Sequence, residues 1–172
     1  MLRHVGNGPF VVVGRSAGGN VAHLVAHRLQ TLGRAPTGLV LLDTYHITAD
    51  NSSKDWLLSL AAPPRPSTGA PAAVSGDGGD DTALAAMGAY NRIFLGWEPE
   101  PVTTPTLLVR ALRPTPAMAA SAEADDWRTS WPSPHDVVDV PGDHVTMMQD
   151  HADTTASAVR AWIDARTTEG DR

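Results

Sequence analysis

A serine between two glycines is the feature of this sequence that most directly suggests chemistry. Residues 14–18 read Gly-Arg-Ser-Ala-Gly, and the G-x-S-x-G pattern is typical of a nucleophile elbow, a sharp strand-to-helix turn that exposes the serine hydroxyl. The sequence therefore predicts Ser16 as a nucleophile and the backbone N–H of Ala17 as a donor to a developing oxyanion. An ordinary glycine-rich turn is the alternative interpretation.

A serine nucleophile needs a general base, and the base needs a carboxylate that orients it. Asp43 directly follows one short apolar run, and His144 follows another within a Pro-Gly-Asp-His turn. The chain order serine, aspartate, histidine is the order found in α/β-hydrolases. Taken alone, Asp43 would be interpreted as a residue that caps a turn, and Asp125 or Asp126 could be the acid instead.

The remaining histidines are weaker candidates than His144 for a functional role. His23 and His27 have the four-residue spacing of a helical metal pair, but both fall on the polar face of their predicted helix with no third ligand nearby. We therefore expect solvated side chains there and no metal. His151 lies inside a predicted helix and is expected at its surface or boundary, whereas His135 is expected to make a structural hydrogen bond at a strand end.

Short apolar runs alternate with helical patterns along the chain. The predicted strands cover residues 10–13, 38–42, 106–110 and 137–140, and the predicted helices cover about 17–32, 82–94 and 148–163. This alternation favours an α/β fold with a mostly parallel sheet flanked by helices. Proline and glycine dominate much of the segment 46–82, which we expect to form a lid or linker within a single domain spanning 1–172.

Composition excludes several classes of protein. The 172 residues carry a formal charge of −6, with 13 Lys plus Arg against 19 Asp plus Glu, and no basic run could follow a nucleic-acid backbone. The absence of Cys removes disulfides, thiolate metal sites and a cysteine nucleophile. No apolar run approaches the roughly 18 residues of a spanning helix. The start of the chain does not resemble a secretory signal, so a cytoplasmic location is expected.

Six separated motifs give the sequence a more specific resemblance. They are G-R-S-A-G-G-N-V-A-H from Gly14, L-V-L-L-D-T-Y from Leu39, G-A-Y from Gly88, P-T-L-L-V-R from Pro105, W-R-T-S-W-P from Trp127 and V-P-G-D-H-V-T-M-M from Val140. In this order they resemble the thioesterase domain that ends type I modular polyketide synthases. The resemblance covers nearly the whole chain and is weakest at 48–82 and 113–124.

The resemblance implies a role for individual residues. Ser16 would be the nucleophile that accepts the acyl chain, Asp43 the acid of the triad and His144 the general base. Residues implied to contact the substrate are Arg15, Tyr45, Tyr90 and Trp127, and for Trp127 simple packing is the alternative. Many members of the family carry a histidine before the nucleophile, where this chain has Arg15.

The resemblance also implies a reaction, the release of a polyketide chain from an acyl carrier protein thioester by macrolactonisation or hydrolysis. No metal or bound cofactor is expected, because phosphopantetheine arrives with the carrier-bound substrate. Alternatives are a discrete editing thioesterase, a general esterase, or an inactive fragment that at most binds a carrier protein.

Only about nine residues precede the first strand, so the N-terminal strands of an α/β-hydrolase fold and a second oxyanion donor are expected to be missing from this chain. The sequence leaves the oligomeric state open, and a homodimer is an option only for the full-length domain.

Overall fold

The fold is taken from a computed structural model. It describes residues 6, 8–46, 93, 94, 96–120 and 127–170. The chain divides into two compact units, one formed by Met1–His46 with Glu98–Arg172 and the other by Ile47–Trp97. In the second unit, Phe94 and Trp97 meet edge to face with ring centres 5.2 Å apart. Residues 47–82 of the predicted lid, and most of the predicted 82–94 helix, lie outside the described residues.

Four parallel strands form the sheet of the first unit, in the order β1-β2-β3-β4. Their bounds are Val11–Arg15 for β1, Gly38–Leu42 for β2, Thr106–Ala111 for β3 and Asp136–Val140 for β4. The register places Val11 opposite Gly38, Leu39 opposite Thr106 and Leu107 opposite Asp136. The predicted parallel sheet is therefore confirmed, with β2 found at the predicted residues.

Helices cover the two faces of this sheet. The first, α1 (Ala17–Thr31), follows β1, and the last, α3 (Ala152–Gly170), follows a 3₁₀ turn at Thr146–Met148. A four-residue helix, α2 (Pro116–Ala119), interrupts the predicted loop after β3, where the Thr115 hydroxyl accepts from the Met118 N–H. In the part of the chain that the structure describes, no helix has the length and apolar character needed to cross a membrane.

The core explains why β2 is an uninterrupted apolar run. All five of its residues are buried, and successive side chains of a strand point to opposite faces. Val40 and Leu42 belong to a buried cluster against which Val159 and Trp162 of α3 pack, while α1 contacts β1 and β2. A polar side chain on a strand that is covered on both faces would be buried, which costs free energy unless the side chain is hydrogen-bonded. The first polar side chain therefore comes where β2 ends.

Candidate active site

Ser16 forms the turn between β1 and α1. Its backbone has φ 52° and ψ −132°, a conformation that costs a non-glycine residue roughly 1–3 kcal/mol. The Ser16 N–H donates to the Leu42 carbonyl oxygen at 2.9 Å, which holds the turn at the end of the sheet. Serine is a favoured N-cap, yet the Ser16 side chain makes no capping hydrogen bond to α1. The hydroxyl is thus not used to cap the N-terminus of α1.

The glycines of the motif allow the helix to approach the strand. A Cβ placed on Gly14 would lie 2.3 Å from the Gly18 carbonyl oxygen and 2.7 Å from the Ala22 Cβ. Neither contact is possible for a real side chain, so the close crossing of β1 and α1 requires glycine here. Ala17 is the first residue of α1, and its N–H therefore has no acceptor within the helix.

Asp43 ends β2 at the same edge of the sheet. It is buried, with φ 43°, and its backbone N–H donates to the Val109 carbonyl oxygen at 2.8 Å. Its Oδ1 accepts from the Ala111 N–H at 3.1 Å, and its Oδ2 accepts from His144 Nδ1 at 2.8 Å. A third donor, the Tyr45 hydroxyl, reaches Oδ2 at 3.3 Å. Three donors thus stabilise this buried carboxylate.

His144 lies in a tight turn after β4. The Asp143 Oδ1 accepts from the backbone N–H groups of Val145 and Thr146, both at 2.9 Å, and the Thr146 hydroxyl accepts from the Asp143 N–H at 2.8 Å. The imidazole is buried against Asp43. Because a carboxylate only accepts, Nδ1 carries the proton, which leaves Nε2 of the neutral ring as an acceptor.

Arg15 connects the serine turn with the histidine turn. Its Nη2 donates to the His144 carbonyl oxygen at 2.5 Å, across 129 positions of sequence. The structure thus shows a contact of Arg15 with the backbone of His144. The substrate contact that the family resemblance implies for Arg15 stays a prediction.

The segment 43–45 is seated directly on α1. A Cβ on Gly19 would lie 1.9 Å from Thr44 Oγ1, so glycine is required for this contact. The Asn20 amide donates to the Tyr45 carbonyl oxygen at 3.5 Å.

The side chain of Tyr45 lies beside both the acid and the base. Its ring is 6.0 Å from the His144 ring. Burial raises the pKa of the Tyr45 hydroxyl far above its usual range, and the charge of Asp43 and the hydrogen bond to Asp43 act in the same direction. The role of Tyr45 beside Asp43 was missed from the sequence, where only its position two residues later could have suggested it.

The prediction that His23 is solvated is wrong. His23 is fully buried, its Nε2 donates to the Glu100 carbonyl oxygen at 2.8 Å, and its ring lies 5.3 Å from the Trp131 ring. Burial lowers its pKa, against the opposing effect of the hydrogen bond to Glu100. Chain segments distant in sequence cover this face of α1, which a helical wheel cannot reveal. Gly19 and Ala26, one turn away on either side, were the available signal of close packing.

Other candidates have local contacts. Trp127 is half-buried, with the guanidinium carbon of Arg128 5.3 Å from its ring centre. His135 donates from Nδ1 to the Ser133 carbonyl oxygen at 2.7 Å, just before β4. His151 is half-buried after the 3₁₀ turn. Tyr90, Asp125 and Asp126 lie outside the described residues, and within the described ranges no cluster of three or more metal-binding side chains occurs.

Comparison with known proteins identifies the family. The sequence model of the thioesterase domain family matches residues 1–163 of this chain. Polyketide synthase GfsE of Streptomyces halstedii is 43% identical over 173 residues, which cover 95% of this chain and 4% of that protein. The erythronolide synthase EryA3 of Saccharopolyspora erythraea is 39% identical over 165 residues, covering 95% of this chain and 5% of that protein. The chain thus spans a small part of the length of these relatives.

Solved structures share the fold at lower identity. The NocB thioesterase domain of the nocardicin cluster superposes with a TM-score of 0.59 at 23% identity, covering 90% of this chain and 64% of that one. The surfactin thioesterase domain SrfTE gives a TM-score of 0.61 at 17% identity, covering 91% of this chain and 68% of that one. With its parallel sheet flanked by helices, the chain has the α/β-hydrolase fold and belongs to the thioesterase domain family.

Proposed function

We propose that this chain releases an acyl chain from a carrier-protein thioester through an acyl-enzyme on Ser16. The observation that carries the proposal is the hydrogen bond between His144 Nδ1 and Asp43 Oδ2, at the sheet edge where the strained Ser16 turn also lies. A nucleophile, a base and an orienting acid at one edge of a parallel sheet suit acyl transfer.

The first half of the proposed reaction transfers the acyl chain to the enzyme. Ser16 Oγ attacks the thioester carbonyl carbon while His144 Nε2 takes the hydroxyl proton, and Asp43 stabilises the imidazolium that forms. The Ala17 N–H donates to the oxyanion of the tetrahedral intermediate. As the intermediate collapses, the carbon–sulfur bond breaks and His144 returns its proton to the leaving thiolate. The products are a free pantetheine thiol and an ester on Ser16.

The second half frees the acyl chain. A hydroxyl of the same chain, or a water molecule, loses its proton to His144 as its oxygen attacks the Ser16 ester. Collapse of this intermediate returns the proton to Ser16 Oγ, giving a macrolactone in the first case and a carboxylic acid in the second. The curated relatives are named as polyketide and erythronolide synthases, which supports a polyketide as the acyl chain and an acyl carrier protein as the partner.

The proposal is tested by turnover of an acyl N-acetylcysteamine thioester, with thiol release followed in time. Ser16→Ala and His144→Ala should each lose up to about 10⁶ in kcat, as when a serine triad loses its nucleophile or base. His151→Ala is the matched control and should keep the parental rate. Loss at His151 alone, or an unchanged rate in Ser16→Ala, would contradict the proposal.

A further inference from the structure

We propose that Tyr45 is a positioning residue that holds the Asp43 carboxylate against His144, an inference that rests on the proposed function and deepens it. Its hydroxyl donates to Oδ2 of Asp43 at 3.3 Å, the same oxygen that accepts from His144 Nδ1 at 2.8 Å. The tyrosine thus acts on the base through the acid, without touching the reacting atoms.

The placement of Tyr45 favours this role over contact with substrate. The residue is 8% exposed, which leaves little surface for a ligand, and its hydroxyl is directed at Asp43. Its ring lies 6.0 Å from the His144 ring at an interplanar angle of 50°, so it also borders the imidazole. The family resemblance implied a substrate contact at this residue. The geometry assigns it to the support of the acid and base.

The carboxylate needs this support because it can rotate. The Ala111 N–H fixes Oδ1, but among the described residues Oδ2 would otherwise accept only from the imidazole that it is meant to orient. A second donor on Oδ2 restricts rotation of the carboxylate and satisfies a lone pair in a buried site, where an unpaired acceptor is costly. The imidazole plane is then set before substrate arrives.

Tyr45 is itself anchored to the helix that carries the nucleophile. Asn20 of α1 donates from its amide to the Tyr45 carbonyl oxygen at 3.5 Å, and Thr44 fills the space beside Gly19. The phenol also remains a donor, because burial and the Asp43 charge raise its pKa and keep it protonated. A continuous set of contacts therefore runs from α1 through Tyr45 and Asp43 to His144.

The test is Tyr45→Phe, which removes one hydroxyl and keeps the ring. The matched control is Thr106→Val, which removes another buried hydroxyl, one that donates to the Thr104 carbonyl oxygen at 3.1 Å at the beginning of β3. We expect kcat for an acyl N-acetylcysteamine thioester to fall roughly tenfold in Tyr45→Phe, with KM within about twofold of the parent, as for loss of one buried hydrogen bond. Thr106→Val should keep both constants.

A second measurement does not depend on turnover. In protein labelled with ¹⁵N-histidine, the Nδ1 proton of His144 should exchange with solvent faster in Tyr45→Phe than in the parent, because the acceptor has lost its alignment, and Thr106→Val should leave that exchange unchanged. A raised KM with unchanged kcat would assign Tyr45 to substrate binding. Unchanged kinetics or unchanged exchange would equally overturn the proposal. A parent protein without thioesterase activity would refute the proposed function, and the exchange measurement alone would then decide the role of Tyr45.

Discussion

At the scale of single residues, Asp43 sits at the centre of the site. Its carboxylate is nearly inaccessible to water and receives hydrogen bonds from three chain segments, through Ala111, His144 and Tyr45. A buried charge is tolerated when it is paired and hydrogen-bonded in this way. Its three donors make Asp43 the residue on which the orientation of His144 depends.

Replacing Asp43 by Asn tests that dependence. The variant keeps the shape of the side chain but removes the charge, and an Asn amide group facing the imidazole favours the wrong tautomer of His144. We expect kcat to fall by about 10⁴, as in other serine triads with this change. The measurement is hydrolysis of a simple acyl thioester, with circular dichroism as the check on folding. A loss below about tenfold would mean that the carboxylate does not orient the base.

Arg15 offers a second test at this scale. Its guanidinium donates to the carbonyl oxygen of His144, not to its ring. Arg15→Met should therefore release the histidine turn and lower kcat roughly three- to tenfold, the effect of losing one partly exposed hydrogen bond of about 1 kcal/mol. Arg15→Lys should recover part of the loss. An increase in KM alone would instead support the substrate contact implied by the family resemblance.

At the scale of elements, each candidate catalytic residue follows the end of a strand. The sequence predicted β2 to the residue because an apolar run buried on both faces is unambiguous. The sequence predicts the first strand at 10–13, whereas β1 spans Val11–Arg15 and ends two residues later, since Gly14 and Arg15 are not typical strand residues and are held there by pairing with β2. The Pro- and Ala-rich composition concealed α2, which depends on the cap formed by Thr115 and Met118. The hydrogen bond from the Tyr45 hydroxyl to Asp43 has no signal in the sequence beyond the spacing of two residues.

The turn that carries His144 is expected to weaken in acid. Burial acts to raise the pKa of Asp143, but hydrogen bonds from the N–H groups of Thr146 and Val145 outweigh it and lower the pKa below the usual 3.8. A lowered carboxyl pKa contributes stability that is present above that ordinary value and is lost as the pH falls through the folded-state pKa. Asp143→Asn should therefore lower Tm at pH 6, and its difference in Tm from the parent should shrink between pH 4 and pH 2.5. A constant difference across this range would contradict the assignment.

At the scale of the whole molecule, His23 joins distant parts of the chain. Lying on α1, it contacts the segment before β3 through Glu100 and the segment before β4 through Trp131. The helical spacing of the sequence could not predict this burial, because the covering residues lie 77 and 108 positions further along. Burial of the ring favours its neutral form, because desolvation penalises the charged imidazolium.

The buried histidine predicts a loss of stability below neutral pH. Burial lowers the folded-state pKa of His23 below 6.5, so the unfolded chain binds the proton more readily. The contribution of His23 to the free energy of unfolding is then fully present above pH 6.5, and it declines as the pH falls from 6.5 toward the folded-state pKa. His23→Gln should reduce this slope in urea unfolding between pH 7 and pH 5, while His27→Gln, which removes only the smallest of the three influences on the His23 pKa, should reduce it less. Equal slopes in the parent and His23→Gln would show that another group causes the decline.

The central claim is that Ser16 becomes acylated, and covalent labelling tests it most directly. The protein is treated with a fluorophosphonate, and the intact mass and the modified peptide are determined by mass spectrometry for the parent and for Ser16→Ala. The account predicts one adduct per chain in the parent, located on Ser16, and none in Ser16→Ala. Equal labelling of both proteins, or an adduct on another serine, would contradict it.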